Sequence, residues 1–405
     1  MSAPTRPTRP PALAIVLDGN QRAALATVRS LGRRGVPVIV GEATERSLAA
    51  SSRFCTGTLT YPDPARDPEG FAGWLSQLGR AHPGAVLMPM TDITTPLAIQ
   101  HAPPGGALLT ALPSLEAYER ASDKYQLFLL AREAGLKVPR TEAVSRTTAG
   151  TVTQLGLRYP VVVKPRTSAM RTETGTVKRT VRYAHSAQEL VHLVESMLLN
   201  AGDELLLQEY IDGFGAGVFA LYDHGAPKFF FAHRRIREKP PSGGVSVLCE
   251  SAPLTPAAVD AAQKLLEPLR WHGVAMVEFK IDGQGIPWLI EINARLWGSL
   301  QLAVDAGADF PWALYSIASG NGATLPSGYS IGKRLRWWLG DLDNLYASLR
   351  SRRVTPTLGA KLRAIGSFLV PWQPGLRYEF LRSYDPLPAA AAVRQYFQQT
   401  FSGKK

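Results

Sequence analysis

Residues 273–299, GVAMVEFKIDGQGIPWLIEINARLWGS, carry the side chains best suited to chemistry. Two apolar runs, 274–281 and 286–292, flank a Gly/Gln/Asp turn and read as a β-hairpin. Glu278 projects from the first run. Glu291 and Asn293, two residues apart on the second, share one face of a strand, and pairing across the hairpin brings Glu278 alongside them. Three oxygen donors on one face, with Arg295 two residues further on, suit Mg²⁺ and phosphate and so suggest chemistry on ATP. Each of these residues taken singly is as readily a solvated position on an amphipathic hairpin. Their neighbours Val274, Met276, Phe279, Leu289, Ile290 and Ile292 are apolar, however. A carboxylate on such a strand is buried, and burial demands a cation or hydrogen-bond donors.

Other segments offer cations. In YPVVVKPRTS (159–168) Lys164 closes a β-branched strand and precedes a polar loop. In SDKYQLFLLAREAGLKVPRT (122–141) Leu127, Leu130, Ala131 and Ala134 fall at helical spacing, with Ser122 or Asp123 as cap and Gly135 after the end. Lys124 then lies in the first helical turn, where a cation is mildly unfavourable unless it serves a ligand. The stretch ELLLQEYIDGFGAGVFALY (204–222) reads as a strand, an exposed Gln208-Glu209-Tyr210-Ile211, a glycine-spaced turn and a second strand. Its GFGAG joins two strands instead of opening a helix, so it is not a dinucleotide fingerprint. In AHRRIREKPPSGGVSVLCES (232–251) Arg234, Arg235, Arg237 and Lys239 precede Pro-Pro-Ser-Gly-Gly. The alternation of Phe229, Phe231 and Ile236 predicts a strand leading up to this basic loop.

Taken in chain order, these segments resemble the ATP-grasp superfamily, across residues 122–300. EINAR (291–295) is similar to the corresponding stretch of biotin carboxylase and carbamoyl phosphate synthetase. The resemblance implies that Glu278, Glu291 and Asn293 hold two Mg²⁺ (or Mn²⁺) ions and that Arg295 holds a substrate carboxylate or acyl-phosphate. It further implies that Lys124 reaches the α-phosphate and Lys164 the nucleotide phosphates. Gln208, Glu209, Tyr210 and Ile211 would line the adenine pocket, with Asp212 towards the ribose. The segment 232–251 would be a mobile lid in which Arg235 or Arg237 contacts phosphate. One departure is the loop RTSAMRTETGT after Lys164, which has a single glycine, Gly175, where the superfamily has several. Arg166 and Arg171 in that loop point to phosphate binding by charge instead of by a backbone cradle.

Those side chains need elements to position them. Residues 12–112 alternate short strands (13–17, 37–41, 57–61, 85–90) with helical runs (22–34, 71–80, 94–100), the pattern of a βαβ half-sheet. This is similar to the domain preceding most ATP-grasp folds, in which Asp18, Gly19, Asn20, Thr91 and Asp92 would face the acceptor substrate. The ordinary reading of these five is turn and helix-cap chemistry. The expected fold is therefore α/β. A disordered leader (1–11) precedes a Rossmann-like domain (12–112), then a two-lobed α+β ATP-grasp domain (113–325) and a basic, mostly helical C-terminal region (326–405).

Composition sets the outer bounds. A chain of 405 residues, 45% hydrophobic and 19% charged, can bury a large core in about two to three domains. Two cysteines, Cys55 and Cys249, lack metal or redox spacing and favour a reducing, cytoplasmic compartment. No signal-type or 18-residue apolar span is present. The net charge of +12 suggests nucleic acid, but 13 Lys/Arg against 4 Asp/Glu lie from Ile331 onward, among Trp337, Trp338, Phe368 and Trp372. No nucleic-acid-binding motif accompanies them. Such a tail either packs its aromatics on the body, the reading preferred here, or meets an anionic membrane or acidic partner. His233 and His272 have no evident partner and read as structural.

The resemblance implies a carboxylate–amine ligase using ATP and Mg²⁺, most similar to carbamoyl-phosphate-synthetase-like members, acting on small molecules, with a homodimer as the assembly of many relatives. Two alternatives stand beside it. One is a bicarbonate-using, carboxylase-type or carboxylate-phosphorylating enzyme, although the chain has no biotin-attachment motif. The other is a nucleotide-binding scaffold without turnover.

Overall fold

We describe the chain from a computed structural model covering residues 11–401 except 168, 173–174, 179–180, 199–202, 242, 322–324, 352–354, 356 and 372, with side chains not described over 169–178 and at 399 and 401. Residues 1–10 of the expected leader, Trp372 and the side chain of Arg171 therefore lie outside the described residues.

The first layer is a parallel sheet of β1 (Ala14–Val16), β2 (Val38–Glu42), β3 (Gly57–Thr60) and β4 (Val86–Met88), in the order β3-β2-β1-β4. The crossovers are α1 (Arg22–Gly32) and α2 (Pro68–Ala81), and α3 (Thr94–His101) follows β4. The central strand β1 is buried throughout because helices cover both faces, the reason its run reads as continuous apolar instead of alternating. Two helices, α4 (Leu115–Ser122) and α5 (Lys124–Glu133), lead out of this layer; Ser114 and Asp123 cap them by accepting backbone N–H bonds.

A small antiparallel sheet follows, from β5 (Thr141–Ser145), β6 (Val161–Pro165), β9 (Arg182–Ala184) and β10 (Glu204–Glu209), in the order β5-β10-β6-β9. Helix α6 (Ala187–Met197) backs it through Leu190 and Val194. Between β6 and β9 the segment expected as a loop forms a two-stranded hairpin, β7 (Ala169–Thr172) with β8 (Gly175–Lys178). Its backbone pairs with itself, so the sparse glycine content is what a hairpin needs.

The largest sheet has seven strands: β11 (Phe214–Asp223), β12 (Ala226–Lys239), β13 (Val245–Ser251), β14 (Gly273–Ile281), β15 (Pro287–Asn293), β16 (Arg334–Arg336) and β17 (Leu376–Tyr378). Their order is β15-β14-β11-β12-β13-β16-β17. Alternation splits its apolar residues between two faces. Phe219, Leu221, Phe231 and Met276 pack with α1, α8 (Leu300–Ala306) and α9 (Phe310–Ser319), while Val218, Ala220, Tyr222 and Val277 pack with α4, α5 and α7 (Pro256–Leu266). Each fully buried Leu or Phe contributes about 1.5–3 kcal/mol. At Gly273 the backbone has φ +91° and a Cβ would fall 2.3 Å from the Ala111 carbonyl, so the entry to β14 can touch the segment before α4 only as glycine.

One expectation is corrected here. The basic stretch 234–239 is not a lid loop: β12 runs through it to Lys239, and β13 begins at Val245. The C-terminal region is mostly helical, with α10 (Trp338–Arg350), α11 (Leu358–Leu369) and α12 (Leu387–Phe401), and it also supplies β16 and β17 to the large sheet. Trp337 of the tail turns onto the body, 4.2 Å under the Arg22 guanidinium, whereas Phe368 packs within the tail, 4.7 Å under that of Arg336. Among the described residues no helix is long and apolar enough to cross a membrane.

Candidate active site

The hairpin β14–β15 places Glu278 directly opposite Glu291 and Met276 opposite Asn293. Like charges directly opposite on a ladder repel, so cations gather around the pair. Lys124, at the start of α5, brings Nζ to 3.4 Å from Glu291. Arg235 on β12 donates to Glu278 at 2.5 Å, and also to Glu238 at 2.8 Å. Asn293 donates to Glu291 at 3.2 Å and accepts from Arg295 at 3.1 Å.

The two carboxyls divide their proton affinities. Burial, only partly countered by Arg235 and reinforced by the charge of Glu291, raises Glu278 above the usual carboxylate range. Burial acts on Glu291 in the same sense, but Lys124, Lys164 and the Asn293 amide outweigh it and hold its carboxyl low.

Lys164 reaches the cleft from the other lobe. Its Nζ donates to Gln208 Oε1 at 2.9 Å, and Gln208 in turn donates to Thr141 Oγ1 at 2.9 Å. Burial, followed by the charge of Lys124, lowers Lys164 to about 7 despite Glu291 and Glu278. Arg166 does not reach out as expected from the loop; it is tied to Asp123 at 2.8 Å and to Glu204 at 2.5 Å.

These groups line one cleft of about 570 Å³ between the small sheet and the large one. Its walls include Lys124, Lys164, Gln208, Glu209, Tyr210, Ile211, Arg235, Glu278, Glu291, Asn293 and Arg295. Glu209, Tyr210 and Ile211 come from the end of β10, where the chain passes from one sheet to the other. Gly243, between β12 and β13, lies close enough to Tyr183 on β9 that a Cβ on it would meet the Tyr183 hydroxyl at 2.5 Å.

Two expected residues are not in the cleft. Asp212 is exposed and outside the lining. Arg237 turns the other way and pairs with Asp341 at 2.6 Å. Two residues apart on a strand, Arg235 and Arg237 should share a face. A bulge between them breaks that rule: Arg235 stands opposite Cys249 and Arg237 opposite Leu248, adjacent residues that point to opposite faces.

In the first layer, Asp18 accepts from Thr94 Oγ1 at 2.5 Å and Met90 N at 2.9 Å, and Thr91 caps the start of α3, so these two act in turns and caps. Asn20 accepts from Leu48 N at 3.2 Å. Asp92 of that group binds a cleft residue, taking a bidentate bond from Arg295 at 2.7 and 3.0 Å.

Several lining residues were not anticipated: Arg22, Tyr183, Glu238, Lys280, Trp297 and Ser299. Arg22 had the same signal as Lys124, a cation in the first turn of a helix; the others had none. His233 is buried at the cleft, with Nδ1 3.4 Å from Ser299 Oγ, and burial followed by the charge of Arg235 lowers it to about 3, so it is neutral. His272 does have partners: its Nδ1 accepts the His224 backbone N–H at 3.2 Å and its ring stacks on His224 at 3.9 Å. Asp223 completes a potential ligand trio there. The imidazole planes are only 8° apart, so their in-plane lone pairs run parallel and do not converge on one ion.

Two sheets closing on a cleft, with acids and an amide on one and a lysine on the other, are the arrangement of an ATP-grasp fold, the fold of the solved structures to which the chain is similar. More particularly, residues 202–334 match the family described as ATP-grasp in the biosynthetic pathway with Ter operon. No curated protein sequence matches the chain. Among solved structures it is similar to an L-amino acid ligase from Bacillus licheniformis (18% identity, TM-score 0.57, 77% of this chain and 75% of that one). It is also similar to the ADP complex of N5-carboxyaminoimidazole synthetase from Staphylococcus aureus (16%, 0.61, 80% of each). A third is biotin carboxylase from Campylobacter jejuni (18%, 0.58, 79% and 74%). At these identities the likeness establishes the fold.

Proposed function

We propose that the protein is an ATP- and Mg²⁺-dependent ligase that activates a carboxylate as an acyl-phosphate and joins it to an amine, releasing ADP and phosphate. The observation that carries this reading is the facing of Glu278, Glu291 and Asn293 by Lys124 and Lys164 across one cleft. The donor set fits a hard divalent cation: two carboxylates in direct register and an amide oxygen on the same face, all oxygen ligands. Glu278, Glu291 and Asn293 would hold it, and when bound it neutralises phosphate charge.

This chain's own residues then bind and orient. The end of β10 (Glu209–Ile211) offers the adenine wall, and Lys124 and Lys164 the phosphate charge. Arg235, released from Glu278, and Arg295 face the anionic acceptor. In the first step a carboxylate oxygen bonds to the γ-phosphorus as the β–γ bridging P–O bond breaks and ADP leaves. In the second the amine nitrogen bonds to the acyl carbon, the C–O bond to phosphate breaks, and the nitrogen loses a proton. Neither step needs a protein nucleophile; positioning and charge supply the rate. Two unpaired cysteines fit a cytoplasmic setting.

ADP release with Mg-ATP, measured against carboxylates and amines singly and paired, tests the reading. Release that requires both, with a product one water lighter than their sum, supports it. Release with bicarbonate or one carboxylate alone replaces it with the carboxylase or kinase reading.

Nucleotide binding should also depend on pH. The phosphates favour charged Lys164, whose pKa near 7 means that Mg-ADP affinity declines above that pH, by up to about tenfold per unit for one proton. Lys164→Arg, charged throughout, should flatten the profile; an unchanged slope excludes Lys164 as its source. Stability moves oppositely. Between about 7 and about 10.4 the unfolded chain binds the proton that folded Lys164 has lost, so the apo protein gains stability with rising pH.

A further inference from the structure

Arg237, turned away from the cleft by the β12 bulge, lines a second cavity of about 440 Å³ on the opposite face of the large sheet. Arg234, Arg235, Arg334, Phe214, Ile236 and Leu248 share its wall, and Ser367 of α11 and Gln373 close one side. Behind the wall stand two clusters, each with two guanidiniums on one carboxylate. Arg234 and Arg334 both bind Glu250, the former at 2.9 Å. Arg237 and Arg336 both bind Asp341, at 2.6 and 2.7 Å. Neither carboxylate lines the cavity, whereas three of these four arginines do. The two clusters together hold four positive and two negative charges. The Arg237 Nε is moreover buried without a partner among the described residues, and leaving a buried donor of a charged group unbonded is costly.

We propose that this back cavity is a binding site for a small organic anion, a carboxylate or phosphate carried on an apolar body. The guanidiniums match the geometry of either oxyanion. Phe214 and Ile236, 49% and 42% exposed at the rim, supply an apolar surface for the body of the ligand. Of the residues lining this cavity Arg235 also lines the nucleotide cleft, and the others do not; the assignment holds whatever reaction that cleft performs.

Calorimetry on the full chain tests it, with phenyl phosphate and phenylacetate as probes and inorganic phosphate to gauge the ring's contribution. The two organic probes distinguish a phosphate site from a carboxylate site. Arg334→Gln removes one cation and leaves Glu250 paired with Arg234, so the fold has no stranded charge. Ile236→Glu is a second variant that touches no ion pair and puts a negative charge at an exposed rim position. Both should weaken binding about tenfold or more, while Lys164→Met, altered only in the nucleotide cleft, should bind the probe as the unmodified chain does. Binding lost in Lys164→Met and retained in the other two would place the anion in the cleft and overturn the assignment. So would the failure of all three probes to bind at millimolar concentration.

Discussion

Replacing Glu291 with glutamine is expected to reduce ADP release by about a hundredfold to a thousandfold or more, while leaving the protein folded. The side chain keeps its shape and can still accept from Asn293, the bond that measures 3.2 Å, so the hairpin has no new void. The loss is charge. Glu291 is the counter-ion that lies 3.4 Å from Lys124 and draws Lys164 towards its charged form. Without it two lysines, Arg235 and Arg295 face one another across the cleft with Glu278, already raised by burial, as the remaining hairpin carboxyl. A divalent ion would have one carboxylate instead of two. Loss of a single preorganised electrostatic contact at a reacting phosphate is worth about 2.7–4 kcal/mol. The measurement is ADP release with Mg-ATP and the productive substrates, alongside a thermal melt. Turnover equal to that of the unmodified chain, with an unaltered melt, would remove Glu291 from the metal-binding set.

How far the chain disclosed this cleft depends on the range over which each signal acts. The hairpin could be read because alternation and a Gly/Gln/Asp turn are local, and register then follows from one pairing. The βαβ half-sheet could be read because its buried strands are continuous apolar runs separated by amphipathic helices. Lys124 stood out as a cation in the first turn of a helix, and Lys164 as a cation closing a β-branched strand. Arg237 was misplaced because alternation is also the rule that a bulge breaks, and a bulge leaves no mark in a stretch of alternating basic and apolar residues. The lid expectation failed for a related reason: Pro-Pro-Ser-Gly-Gly marks a turn, but how far the strand runs towards it is settled by its partner β13. Strands β16 and β17, three residues each, are too short to carry a period. The Arg295–Asp92 pair joins residues 203 apart in sequence, and no local pattern reports such a contact.

The same reasoning gives the largest expected effect on stability, at the joint where the C-terminal region meets the first layer. Asp385 is wholly buried and accepts from Arg29 Nε at 2.8 Å, Ser52 Oγ at 2.8 Å and the Arg53 N–H at 3.0 Å. Arg29, on the buried side of α1, also donates to the carbonyls of Glu379, Phe380 and Asp385. Asp385→Ala would strand that guanidinium in the interior, and breaking a buried pair from one side costs about 3–5 kcal/mol. Urea unfolding of the variant should show a loss of that size; a change below about 1 kcal/mol would mean that the joint is no stronger than a surface ion pair. The effect should extend to the cleft, because Glu379, whose backbone Arg29 holds, pairs with Arg22 at 2.8 Å, and Arg22 lines the nucleotide cavity. Weakened nucleotide binding is therefore expected alongside the lost stability. Replacing both partners, Arg29→Met with Asp385→Leu, removes the stranded charge and should recover part of the loss. It cannot recover all of it, since three carbonyls that Arg29 now satisfies would be left without a donor.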